Sequence, residues 1–80
     1  MTNKLKKSEA RILVYLSQCK NEFKFARKIT NKLDMDYNYL LRILAGMKDK
    51  HWIRPVRSHQ RIFYEMNKSA PLEEARQALM

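Results

Sequence analysis

Glycine is almost missing from this chain. Gly46 is the one glycine in 80 residues, so the glycine-rich loops that cradle nucleotide phosphates are excluded. Cysteine is as scarce: Cys19 stands alone, which rules out an internal disulfide and a cysteine-based zinc site. The two histidines, His51 and His59, lack the spacing of a metal pair, and no Ser/His/Asp or Cys/His set or pair of carboxylates can be assembled around a cleft. The expectation is no metal, no cofactor and no enzymatic activity. No apolar run approaches the ~20 residues that cross a bilayer. The basic start, Met1-Thr2-Asn3-Lys4-Leu5-Lys6-Lys7, leads into an amphipathic stretch, unlike a secretory signal. A cytoplasmic chain with no membrane partner is therefore expected.

Acidic residues are the other shortage. There are 8 Asp+Glu against 17 Lys+Arg, a formal net charge of +9. The excess is uneven: residues 1–68 hold 16 Lys+Arg and 6 Asp+Glu, whereas 69–80 hold Arg76 against Glu73 and Glu74. Such a basic body points to a polyanion, most often nucleic acid, and the nearly neutral tail to a protein surface. With 45% apolar residues the chain can build a core, though its length allows only one small domain of modest stability.

Periodicity divides the chain. Residues 1–7 read as a flexible basic arm. Ser8 is suited to cap a helix ending near Cys19, with Ile12, Leu13 and Leu16 on its inner face and Ala10, Val14 and Tyr15 widening the stripe. Phe23-Lys24-Phe25 alternates like a very short strand. Ala26, Ile29 and Leu33 define a second helix with Arg27, Lys28 and Lys32 outside. After the turn Asp34-Met35-Asp36, with Asp36 as cap, a third helix spans about Tyr37–Lys50 on a stripe of Leu40, Ile43, Leu44 and Met47. The period then falls to two: Trp52–Arg57 and Arg61–Met66 read as a hairpin around Ser58-His59-Gln60. Ser69 can cap a last helix with Pro71 in its first turn and Leu72, Ala75 and Leu79 as its stripe.

The run Phe25–Leu44 looks like a helix-turn-helix, and Leu44–Tyr64 like a recognition helix entering a wing. Over roughly residues 8–66 the chain resembles the winged helix-turn-helix superfamily, in the style of small archaeal and bacterial MarR-like and ArsR-like regulators. The resemblance implies an α+β fold: a three-helix core, a two-stranded β-hairpin wing and a C-terminal helix, with the DNA-binding domain at 8–68 and a dimerisation element at 69–80. Its members often have glycine where His51 stands, at positive φ.

The implied function is a sequence-specific regulator of transcription that binds double-stranded DNA. It would repress by occupying a promoter, without a small-molecule effector. In that geometry the third helix lies in the major groove, with Tyr37, Asn38, Tyr39, Leu41 and Arg42 as base readers. Arg42 suits guanine, Asn38 adenine, and Leu41 or Tyr39 a thymine methyl. Either tyrosine can instead pack into the core. Lys24, Arg27, Lys28, Lys32 and Lys48 suit the phosphate backbone. The wing offers Arg54, Arg57, Ser58, His59, Gln60 and Arg61, its three arginines expected without an acid to neutralise them. Trp52 and Phe63 read as core. A homodimer is expected through Val14, Tyr15, Leu72, Ala75 and Leu79. Two further readings are a winged-helix adaptor for protein partners and a non-specific architectural or RNA-binding protein.

Overall fold

The computed structural model describes residues 5–80. They form an α+β fold of four helices and a two-stranded antiparallel hairpin: α1 (Lys7–Gln18), α2 (Ala26–Leu33), α3 (Tyr37–Asp49), β1 (Ile53–Ser58), β2 (Arg61–Met66) and α4 (Leu72–Ala78). A short 3-10 turn, Asn21–Phe23, links α1 to α2.

Helix α1 is central because its stripe of Ala10, Ile12, Leu13 and Leu16 is at most 1% exposed and other elements close over it. It begins earlier than the Ser8 cap anticipated from sequence. Lys6 takes the N-cap position, and its backbone N–H donates to Glu9 Oε1 at 2.9 Å, the backward half of a capping box. Of the basic arm expected over 1–7, residues 1–4 lie outside the described residues. Leu5 packs against the core and Lys7 is already helical, so the arm does not extend to residue 7.

Helix α2 has the bounds its stripe dictates. It ends on Asp34, a left-handed residue at φ 55°, whose geometry lets the Met35 N–H reach the Thr30 carbonyl at 3.1 Å. A guanidinium N–H of Arg11 in α1 donates to the Leu33 carbonyl, tying the turn to the first helix. Asp36 then caps α3, its carboxylate accepting from the Tyr39 N–H at 3.1 Å. Leu40, Leu44 and Met47 are buried and Ile43 packs partly against them.

Helix α3 stops through a Schellman motif. His51 sits at φ 62°, the His51 N–H donates to Lys48 at 2.9 Å and the Trp52 N–H to Met47 at 3.0 Å. Buried Trp52 closes the core beneath the hairpin, as its position suggested. The strands pair in register from Ile53 with Met66 to Ser58 with Arg61. The turn is thus only His59-Gln60, with His59 at φ 56°, and Ser58 belongs to β1. The strand anticipated at Phe23-Lys24-Phe25 shrinks to a single bridge. Phe25 pairs with Phe63, and the Tyr64 N–H donates to the Lys24 carbonyl at 2.8 Å, while Phe23 closes the 3-10 turn. Phe63 is half-buried, edge-on to Phe25 with ring centroids 5.7 Å apart.

The chain returns from the hairpin to the end of α3. The His51 carbonyl accepts from Asn67 Nδ2 at 2.9 Å and from Ser69 Oγ at 2.6 Å. Ser69 is spent on this link, and Pro71 occupies the N-cap of α4 in its place. Helix α4 packs chiefly on α1, with Ala75 fully buried between them.

A left-handed residue bearing a Cβ costs about 1–2 kcal/mol, and the exposed His51 side chain makes no hydrogen bond among the described residues. His51→Gly is therefore expected to stabilise the fold by ~0.5–1 kcal/mol after the entropy that glycine adds to the unfolded chain. The check is a raised urea midpoint at unchanged slope.

Candidate nucleic-acid interface

Helix α3 divides its residues sharply between core and solvent. Tyr37 and Tyr39 are 44% and 49% exposed, so neither of the two is a core residue. Asn38 and Arg42 are exposed beside them. All four belong to the first half of the helix, the part that reaches base edges when a helix lies in a major groove. Leu41 is half-buried and lines the wall of a cleft beside the hairpin, which takes it off the outer face where sequence had placed a base reader.

The backbone candidates are spread over several elements. Arg27, Lys28 and Lys32 on α2 and Lys48 on α3 are exposed, and Lys24 is half-buried. Two of them rest on aromatic rings: the Arg27 guanidinium lies 5.6 Å from the Tyr37 centroid and the Lys28 ammonium 5.7 Å from that of Phe23. Such contacts restrict long side chains that would otherwise lose rotamer freedom on binding.

The hairpin corrects one expectation. Arg54 is neutralised, because Glu65 lies directly across the ladder and its Oε1 accepts from Arg54 Nε at 3.1 Å and Nη2 at 2.7 Å. Pairing eleven residues apart is invisible until register is known. Arg57 stands opposite Ile62, exposed and without an ion pair among the described residues. Arg61 lays its guanidinium 4.3 Å from the Phe25 centroid. The tip thus presents Arg57, His59, Gln60 and Arg61, with Ser58 exposed at the end of β1.

Between the tip and the helices lies an open cleft of about 530 Å³, which brings Tyr37 and Leu41 of α3 together with Arg27 of α2 and with Gln60, Arg61 and Tyr64 of the hairpin. The start of α3 and the hairpin tip therefore share one surface. Phe25, Ile62 and Tyr64 also line this cleft, and the sequence reading had given none of them a binding role. Their only signals were the alternation Phe23-Lys24-Phe25 and the aromatic and β-branched residues of β2. Burial raises the Tyr64 phenol above the usual tyrosine range, and nearby Tyr37 adds to the shift.

The residues expected to join two copies have another use. Ala75 is fully buried against α1 within one chain, and Leu72, Val14 and Tyr15 are half-buried. The stripe of α4 first satisfies its own domain, which overturns the placement of Ala75 in a dimer surface. Leu79, at 37% exposed, remains open. Among the described residues no helix is long and apolar enough to cross a membrane, and no three His, Cys, Asp or Glu side chains gather around a metal position.

Cys19 ends α1 half-buried beside Tyr15, whose hydroxyl donates to the Phe23 carbonyl at 2.8 Å. Burial pushes the Cys19 thiol up, more than Lys24 pulls it down. A raised thiol holds less thiolate at any given pH. Cys19 is thus expected to alkylate more slowly with iodoacetamide at pH 8 than free cysteine, its rate rising at higher pH. A faster rate than free cysteine would contradict this environment.

Comparison with protein-family models, with curated proteins and with solved structures finds no match to this chain. The chemistry and placement of its own residues carry the functional reading.

Proposed function

We propose that this chain is a winged helix-turn-helix protein that binds double-stranded DNA as a sequence-specific regulator of transcription, and that it represses by occupying its site. The observation carrying this reading is the shared surface. Tyr37 at the start of α3 lines one cleft with Gln60 and Arg61 of the hairpin tip, and Asn38, Tyr39 and Arg42 are exposed on the same first half of the helix. A helix face with polar and aromatic reach suits base edges, and cations beside it suit the flanking phosphates or minor groove. The net charge of +9 supplies the attraction to a polyanion that such binding requires. An adaptor for protein partners would more naturally place acids or an apolar patch on the outer face of α3, where Asn38 and Arg42 stand.

Selection from randomised duplexes at moderate salt tests the reading. Enrichment of one sequence supports it, and a palindrome with half-sites about one helical turn apart would place two copies on the DNA. Binding without enrichment would indicate an architectural role, and absence of binding would transfer the surface to a protein partner.

Two substitutions separate the parts. Arg42→Ala is expected to weaken binding to the selected site by about 1–3 kcal/mol and relax its preference at one base pair. An equal loss on random duplex would take Arg42 out of base readout. Arg57→Ala is expected to weaken all duplexes alike and make the slope of log affinity against log salt shallower by about 1. An unchanged slope would remove the hairpin tip from the phosphate interface.

A further inference from the structure

The cleft between hairpin and helices has a composition that phosphate contact does not explain. Aromatic faces of Phe25, Tyr37 and Tyr64 line it with the aliphatic side chains of Leu41 and Ile62. Ile62 and Tyr37, 41% and 44% exposed, are among the large apolar side chains the fold leaves open to water. A phosphate is held by a convergence of N–H donors, and this lining supplies apolar and π surface instead. Its cations stand at Arg27 and Arg61, each laid on a ring of the same cleft, Tyr37 and Phe25 respectively. A guanidinium tethered on a ring keeps its charge near the opening with little rotamer freedom left to lose, and its plane is itself a stacking surface.

Charge narrows the occupant. Among the described residues no carboxylate lines this cleft. By contrast, the cleft on the other side of the hairpin carries Glu22 and Glu65, and the one between α1 and the turn of the helix pair carries Asp34 and Asp36. An apolar, aromatic slot fringed by arginines fits a flat apolar group attached to an anionic chain. A nucleobase on its sugar-phosphate backbone is such a group, and every base offers a π face to stack.

We infer that this cleft accepts an unstacked nucleobase, so that the preferred DNA carries an unpaired nucleotide beside the duplex segment that α3 reads. The inference rests on the DNA-binding reading above and names its target more narrowly. A base inside an intact duplex must be unstacked and unpaired before it reaches the slot, at a cost of a few kcal/mol. A bulged or unpaired nucleotide has already met most of that cost. The cleft therefore favours interrupted duplex over continuous duplex, while the outer face of α3 keeps its access to the neighbouring groove.

The test uses the full chain and two short duplexes of one sequence. One is continuous, and the other carries a single extrahelical 2-aminopurine. Binding is measured by anisotropy and stacking by 2-aminopurine fluorescence. Binding to the bulged duplex is expected to be roughly tenfold tighter, with 2-aminopurine quenched in the complex. Tyr37→Leu is expected to reduce the preference to about twofold or less and to restore the fluorescence. Tyr37 is half exposed, so the variant should fold, and circular dichroism checks that it does. The wild-type quench stands as a readout even without the variant. Equal affinity for both duplexes with no quench overturns this inference and leaves duplex recognition intact. A quench that survives in a folded variant carrying both Tyr37→Leu and Tyr64→Leu also overturns it, because the base then stacks away from the tyrosine faces of this cleft. Binding to neither duplex removes DNA recognition itself, and this inference with it.

Discussion

The carboxylate of Glu9 lies in the interior, 4% exposed, and the placement of everything after α3 depends on how its charge is met. A buried carboxylate without partners would cost several kcal/mol. Here Lys50 reaches it from the end of α3 with Nζ 3.0 Å from Oε2, while the Lys6 N–H donates to Oε1 at 2.9 Å. The same ammonium lies 4.5 Å from the Trp52 ring centroid. One cation thus joins the start of α1, the end of α3 and the first residue of the descent into the hairpin. Once Lys50 is fixed, the helix closes on left-handed His51, and the His51 carbonyl gathers Asn67 and Ser69 from the far side of the hairpin. The hairpin leaves α3 at an angle braced from both of its ends.

That brace is what gives the outer surface its meaning. On the proposed reading α3 and the hairpin act on one ligand together, and relative positions fixed in advance spare the affinity an ordering cost. The scarce acids reinforce the division of labour. Glu9 holds Lys50, Glu65 holds Arg54 and Glu73 holds Arg76. These cations are internal or lateral fastenings. Arg42 and Arg57 make no ion pair among the described residues and face water, where their charge stays available to a polyanion. Basic composition alone does not separate fastening cations from contacting ones.

Helix α4 shows how a small domain settles its marginal stability. A short isolated helix is not stable in water and must bury its stripe against something. The sequence pattern pointed to a second copy, and α1 of the same chain takes that place instead. Packing on α1 completes the core around Ala10, Ile12 and Ala75 within one molecule, and little of the α4 stripe is left for another chain.

Local interactions explain what was legible in the sequence. The bounds of α2 follow from the spacing of Ala26, Ile29 and Leu33, the start of α3 from the Asp36 cap, and the hairpin from the change of period after Trp52. Exposure of Asn38 and Arg42 follows from the same helical spacing, because it puts them opposite Leu40, Leu44 and Met47. Each of these features is decided by residues within a turn or two of one another. Other features are set by groups remote in sequence, which a local pattern does not encode. The Glu9 carboxylate can be buried because Lys50 meets it across 41 positions. Arg54 is neutralised because the strand register puts Glu65 opposite it. Phe25, Ile62 and Tyr64 become one cleft only when the hairpin folds against α2 and α3. The sequence by itself determined the elements and the sign of the surface. Tertiary packing decided which cations stay unpaired and where the aromatic side chains converge, because both depend on contacts between segments far apart along the chain.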